Sequence, residues 1–90
     1  MFKLVYTNRF NKDVKLLQKR GFVMEYLKKA IIALETLGEL SAEYKPHKLS
    51  GNYSGYWEAH IKSDWIILWQ NYHDENEIWL TRTGTHSDLF

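Results

Sequence analysis

Tyr56-Trp57-Glu58-Ala59-His60-Ile61-Lys62-Ser63-Asp64-Trp65-Ile66-Ile67-Leu68-Trp69 is the stretch that decides the fold. Its first half alternates: Trp57, Ala59 and Ile61 share one side, and Glu58, His60 and Lys62 share the other. A period of two belongs to a strand with one buried face. Ser63-Asp64 reads as a tight turn, and Trp65 to Trp69 is continuously apolar, as in a central strand covered on both faces. Further on, His73-Asp74-Glu75-Asn76 is a second turn, Glu77 to Thr83 another strand, Gly84 its stop, and residues 85–90 a short tail. Three strands joined by short turns predict an antiparallel meander.

Upstream the period lengthens. Residues 2–7 are rich in β-formers and read as a short strand, after which Thr7 or Asn8 can cap a helix. Phe10, Val14 and Leu17 make one apolar stripe, and Gly21 is a plausible stop. A second helix spans about Val23 to Leu37, with Leu27, Ala30, Ile31, Leu34 and Leu37 as its stripe and Gly38 behind it. Two helices joined around Gly21 form an αα-hairpin that must bury its stripes against a sheet. Residues 38–55 hold turn formers and little periodicity, and are expected to be a long surface connection of the kind that often carries function. The order is β-α-α-β-β-β. The expected fold class is therefore α+β, one domain over 1–90, with an antiparallel sheet packed on a two-helix hairpin and the first strand joining that sheet.

Composition narrows the function classes. The chain has 90 residues, 44% hydrophobic and 26% charged, which is ordinary for a soluble globular protein. No apolar run approaches the roughly 20 residues that cross a bilayer, so no membrane association is expected. The start is too soon polar for a signal peptide, and the absence of cysteine excludes disulfides and thiolate chemistry; both fit the cytoplasm. The net charge of +1 hides an asymmetry. Residues 1–29 carry eight basic side chains against Asp13 and Glu25, a local +6, which leaves −5 for the remainder. Arg9, Lys12, Lys15, Lys19 and Arg20 lie mostly off the apolar stripe and form a candidate docking surface for phosphate. Aromatic residues reach 16%, and some can serve as platforms for nucleic-acid bases.

Four histidines occur: His47, His60, His73 and His86. None has a metal-binding spacing, and no phosphate loop or nucleophile elbow is present, so neither metal nor cofactor is expected. His73 sits in a hairpin turn and reads as surface. The meander brings the Ser63-Asp64 turn and the end of the last strand to one place, so His60, Lys62 and Asp64 meet Arg82 and His86 there. RNA carries its own nucleophile, the 2′-OH. Its cleavage needs a base, an acid and a cation; imidazole supplies the first two near neutral pH and guanidinium the third.

Three segments carry a family resemblance: Lys45-Pro46-His47-Lys48-Leu49-Ser50-Gly51, then Gly55 to Trp65, then Arg82-Thr83-Gly84-Thr85-His86-Ser87-Asp88-Leu89-Phe90. In this order and spacing the chain resembles the YafQ-type branch of the RelE/ParE superfamily, the toxins of bacterial type II toxin–antitoxin modules. The resemblance implies a RelE-like fold and a ribosome-dependent endoribonuclease that cuts mRNA, held inactive by a cognate antitoxin. It implies acid–base and hydrogen-bonding roles for His47, His60, Asp64 and His86, phosphate stabilisation by Arg82, and RNA contacts by Phe90 and Trp65, with Lys62 close by. One departure stands at Trp57, where many relatives have arginine. Two other readings are a gyrase-directed toxin of the ParE type, which lacks the histidine set, and a plain RNA-binding module resting on the basic helices and aromatics alone.

Overall fold

A computed structural model describes residues 1–90. Strand β1 (Lys3–Tyr6) leads into helices α1 (Asn8–Lys19) and α2 (Met24–Leu37), followed by strands β2 (His47–Lys48), β3 (Trp57–Lys62), β4 (Trp65–Tyr72) and β5 (Glu77–Thr85) and a closing helix α3 (His86–Leu89). The sheet has five strands in the order β1-β5-β4-β3-β2. The antiparallel meander of β3, β4 and β5 is present as expected. β1 joins the sheet too, but parallel to β5, so the sheet is mixed rather than wholly antiparallel.

The helices form where the sequence places them. Thr7 caps α1 by accepting the N–H of Phe10 on its hydroxyl, and it anchors that corner by donating the hydroxyl to the carbonyl of Leu80. Gly38 ends α2 in the left-handed conformation, with φ 75°, and the ring of Phe2 packs directly against it. A Cβ there would lie 2.5 Å from that ring, so only glycine fits both the turn and the contact. Phe10, Leu17, Leu27, Ala30 and Leu34 bury their stripes against Trp65, Ile67, Trp69, Ile78 and Leu80 of the sheet. Leu37, expected in the α2 stripe, is 65% exposed: it is the last residue before the Gly38 turn, past the edge of the packed surface.

The segment 38–55 is not the structureless connection expected. It contributes the buried Leu40 and Tyr44 to the core and the two-residue strand β2, which pairs antiparallel with β3. Two residues are too few to show a period of two in the sequence. The tail likewise is a helix, because Thr85 and Asp88 make reciprocal bonds between side chain and backbone that close a capping box.

Both helices lie on one face of the sheet. The opposite face carries the alternate residues: Glu58 and His60 of β3, Ile66, Leu68 and Gln70 of β4, and Trp79, Arg82 and Gly84 of β5. That alternation follows from the pairings Glu58↔Leu68, His60↔Ile66, Leu68↔Arg82 and Gln70↔Trp79.

Candidate active site

One end of the open face gathers most of the titratable groups named from the sequence. The β3–β4 turn presents Asp64, and α3 begins directly where β5 ends, so His86 meets it: Nδ1 of His86 lies 2.6 Å from Oδ1 of Asp64. This contact holds the Asp64 carboxyl below the usual carboxylate range. The same bond raises the His86 imidazole above its ordinary value, with the carboxylate of Glu58 adding to it. With Nδ1 donating to Asp64, Nε2 of His86 points into the cluster, 3.7 Å from Oε1 of Glu58.

Glu58 was not singled out from the sequence, yet it is the centre of the arrangement. It is only 6% exposed, and Oε1 also lies 3.3 Å from Nε2 of His47 on the neighbouring strand β2. The cross-strand pair His47↔Glu58 fixes that contact. The signal that could have found Glu58 was the alternation itself, which placed it beside His60 on the face that carries the candidate site. A carboxylate so buried requires partners, and the two imidazoles are those partners. His60 turns its ring toward His86, with centroids 5.7 Å apart. Its Nδ1 lies 3.4 Å from the carbonyl oxygen of Ser63, an acceptor that leaves Nε2 turned away from that contact.

Arg82 reaches the open face further along β5. Asp13 of α1 accepts from its Nε at 2.7 Å and from its Nη2 at 3.1 Å, and also takes the backbone N–H of Thr83. β1 stops pairing at Leu80, so the edge of β5 is unpaired there and Asp13 supplies the missing acceptor. The fork grips Arg82 by two of its three nitrogens and leaves Nη1 free. This doubly bonded carboxylate keeps the guanidinium pKa raised. Phe90 is 52% exposed, stands 6.3 Å from His86 between ring centroids, and packs edge-on against Tyr53 at 4.9 Å.

Two residues expected at the site lie elsewhere. Trp65 is 4% exposed and belongs to the core, its Nε1 donating to the hydroxyl of Thr83 at 2.9 Å, so it offers no face to RNA. Lys62 does not share the side of His60. The β3–β4 register shifts between His60 and Lys62, and the ammonium instead donates to the hydroxyl of Tyr26 on α2 at 2.7 Å and sits over its ring. Trp57 does point away from His60, stacked on Trp69. Arg9, Lys12, Lys15 and Lys19 are exposed on α1. Arg20 is tied to Asp88 of α3 at 2.9 Å, which locks the closing helix to the α1 terminus. His73, read as surface, is exposed, and its Nε2 lies 3.2 Å from the carbonyl of Gly38.

Comparison with known proteins fits this geometry. The family model described as the bacterial toxin of the type II toxin–antitoxin system, YafQ, matches residues 2–90. The mRNA interferase toxin YafQ of Escherichia coli K12 is 41% identical over 87 residues, covering 94% of this chain and 91% of that protein. Among solved structures, the E. coli DinJ–YafQ complex contains a chain 39% identical with a TM-score of 0.86, covering 100% of this chain and 99% of that one. A metal-bound toxin from Helicobacter pylori is 37% identical with a TM-score of 0.89, each chain covered in full. An α+β, RelE-like fold and a sequence match running from residue 2 to residue 90 lead to one conclusion: this chain belongs to the YafQ family of bacterial type II toxin–antitoxin toxins.

Proposed function

We propose that this chain is a ribosome-dependent endoribonuclease that cleaves mRNA through the substrate's own 2′-OH, and that a cognate antitoxin holds it inactive. The observation that carries the reading is the pairing of His86 with Asp64 beside a second imidazole, His60, whose ring centroid lies 5.7 Å from that of His86.

His60 Nε2 takes the proton of the 2′-OH as that oxygen bonds to phosphorus. The P–O5′ bond then breaks, and His86 Nε2 gives its proton to the leaving 5′-oxygen. The products are a 2′,3′-cyclic phosphate and a 5′-hydroxyl. Charge on the pentacovalent phosphorane falls to Arg82 Nη1, the guanidinium nitrogen that Asp13 leaves free. Asp64 keeps His86 protonated and oriented. Glu58 sets the second contact of His86 and the position of His47, and Phe90 stacks on the RNA. The basic face of α1 docks on ribosomal RNA, and the mRNA interferase name of the E. coli relative supports the substrate class.

The test is induced expression of the chain with mapping of mRNA 5′ ends. The wild type should arrest growth and cut mRNA. His86→Gln should abolish both, and co-expression of the antitoxin encoded beside it should do the same. A His86→Gln protein as toxic as the wild type would contradict the assignment and favour a gyrase-directed or purely binding toxin.

A further inference from the structure

Beyond the histidines, the open face continues into a second groove of ≈ 370 Å³ between the Gly51–Tyr53 turn and the sheet. Tyr53 and Tyr56 form one wall, Gln70 and Trp79 the floor, and Arg9 and Arg82 the far side. It adjoins the catalytic cluster on two counts: Arg82 lines it, and Tyr53 contacts Phe90.

Its floor is built for a flat ligand. Trp79 is 37% exposed, yet the indole is pinned: Nε1 donates to Glu77 at 3.1 Å, and Tyr72 packs edge-on against the ring at 5.6 Å. An exposed aromatic held in one orientation loses little entropy when a base stacks on it. Gln70 is its direct cross-strand partner, so an amide with both donor and acceptor sits beside that ring. Arg9 is exposed and takes part in none of the protein's ion pairs, so it gives the groove an uncompensated positive charge, while Arg82, paired with Asp13, brings the N–H donors of its Nη1. A positively charged groove floored by an aromatic is the general form of a single-strand nucleotide site.

We propose that this groove is a second nucleotide subsite, which takes a nucleotide flanking the scissile phosphate. The base stacks on Trp79, Gln70 reads its edge, and Arg9 holds its phosphate. The proposal rests on the nuclease reading above and adds to it a determinant of base preference outside the acid–base cluster.

Two measurements test it. In the first, the full chain carrying His86→Gln, which cannot cleave, is titrated with a single-stranded RNA of about ten nucleotides. Tryptophan fluorescence should be quenched saturably, and adding Trp79→Phe should remove most of the quench, since Trp65 and Trp69 are buried and Trp57 is half-buried, stacked on Trp69 against the core and away from the groove. Trp79→Ala should weaken binding about 5- to 100-fold, from the loss of one stacked base. Arg9→Ala should weaken it and lower the salt slope by about one unit, and Lys28→Ala should do neither. In the second, 5′ ends are mapped for the otherwise native chain carrying Gln70→Ala, whose cuts should continue with a relaxed preference at the flanking base. Absence of saturable quenching, quenching that survives Trp79→Phe, or an unchanged base preference in Gln70→Ala would overturn the subsite. Failure of the nuclease reading looks different: the wild type would bind the RNA and never cut it.

Discussion

On the face of the sheet that the helices cover, Phe10, Leu17, Leu34, Trp69 and Leu80 are each 1% exposed or less. On the opposite face, Glu58, His60 and His86 bring carboxylate and imidazole groups close together, and Arg82 stands on the same face of β5, paired across from Leu68. Neighbouring positions on one strand thus answer to two requirements. Ala59 is packed with no exposure, while Glu58 and His60 beside it carry polarity that a domain of this size would otherwise keep in water. The helix-side core supplies the stability that lets the other face hold a near-buried carboxylate and two clustered histidines. The contrast also shows how a small chain builds a site without a deep cavity: a rigid sheet aims the groups, and short turns and a four-residue helix complete them.

Substitutions on the two faces should separate stability from chemistry. The largest stability effect belongs to the covered face. Trp69→Ala should cost about 3–5 kcal/mol, a large fraction of what a domain of this length has to spend, and denaturant melts should show it unfolding early. Asp13→Ala acts where the faces meet. It frees Arg82 and orphans the N–H of Thr83, so melts should show a loss of about 1–3 kcal/mol and single-turnover cleavage should slow as well. If Asp13→Ala slowed cleavage with no loss of stability, the edge of β5 would not depend on it as described.

Asp64→Asn gives the smallest and most specific effect, because Asp64 is an exposed residue of a turn and its replacement should leave the melt nearly unchanged. Its bond is the first cause of the raised His86 pKa. A raised imidazole stays protonated to higher pH, so the acid function is present below that raised value and is lost as pH rises through it. The variant should therefore shift the alkaline limb of the pH–rate profile toward lower pH. An unmoved alkaline limb would mean that another group donates the proton.

Much of this was legible in the residues. The alternation from Trp57 to Lys62 and the apolar run from Trp65 to Trp69 specified the meander, and the i, i+4, i+7 stripes gave both helices. The Asp64–His86 contact followed from the meander's connectivity, since one turn and one strand end must share an edge. What escaped reading was short or irregular. β2 has two residues, and the register shift after His60 turns Lys62 toward α2, which no regular alternation anticipates. Trp65 sits next to Asp64 in sequence, but a strand sends neighbours to opposite sides, and the core claimed the indole. Asp13 lies on a helix 69 residues from Arg82, and no local pattern connects them.

The central claim is that paired imidazoles on the open face drive attack by the substrate's 2′-OH. End-group analysis of mRNA cleaved on ribosomes by the wild-type chain tests it most directly. A 2′,3′-cyclic phosphate on the upstream fragment and a 5′-hydroxyl on the downstream one are the predicted ends, both disappearing with His86→Gln. A 5′-phosphate on the downstream fragment would show that water, not the ribose, attacked, and would contradict the mechanism.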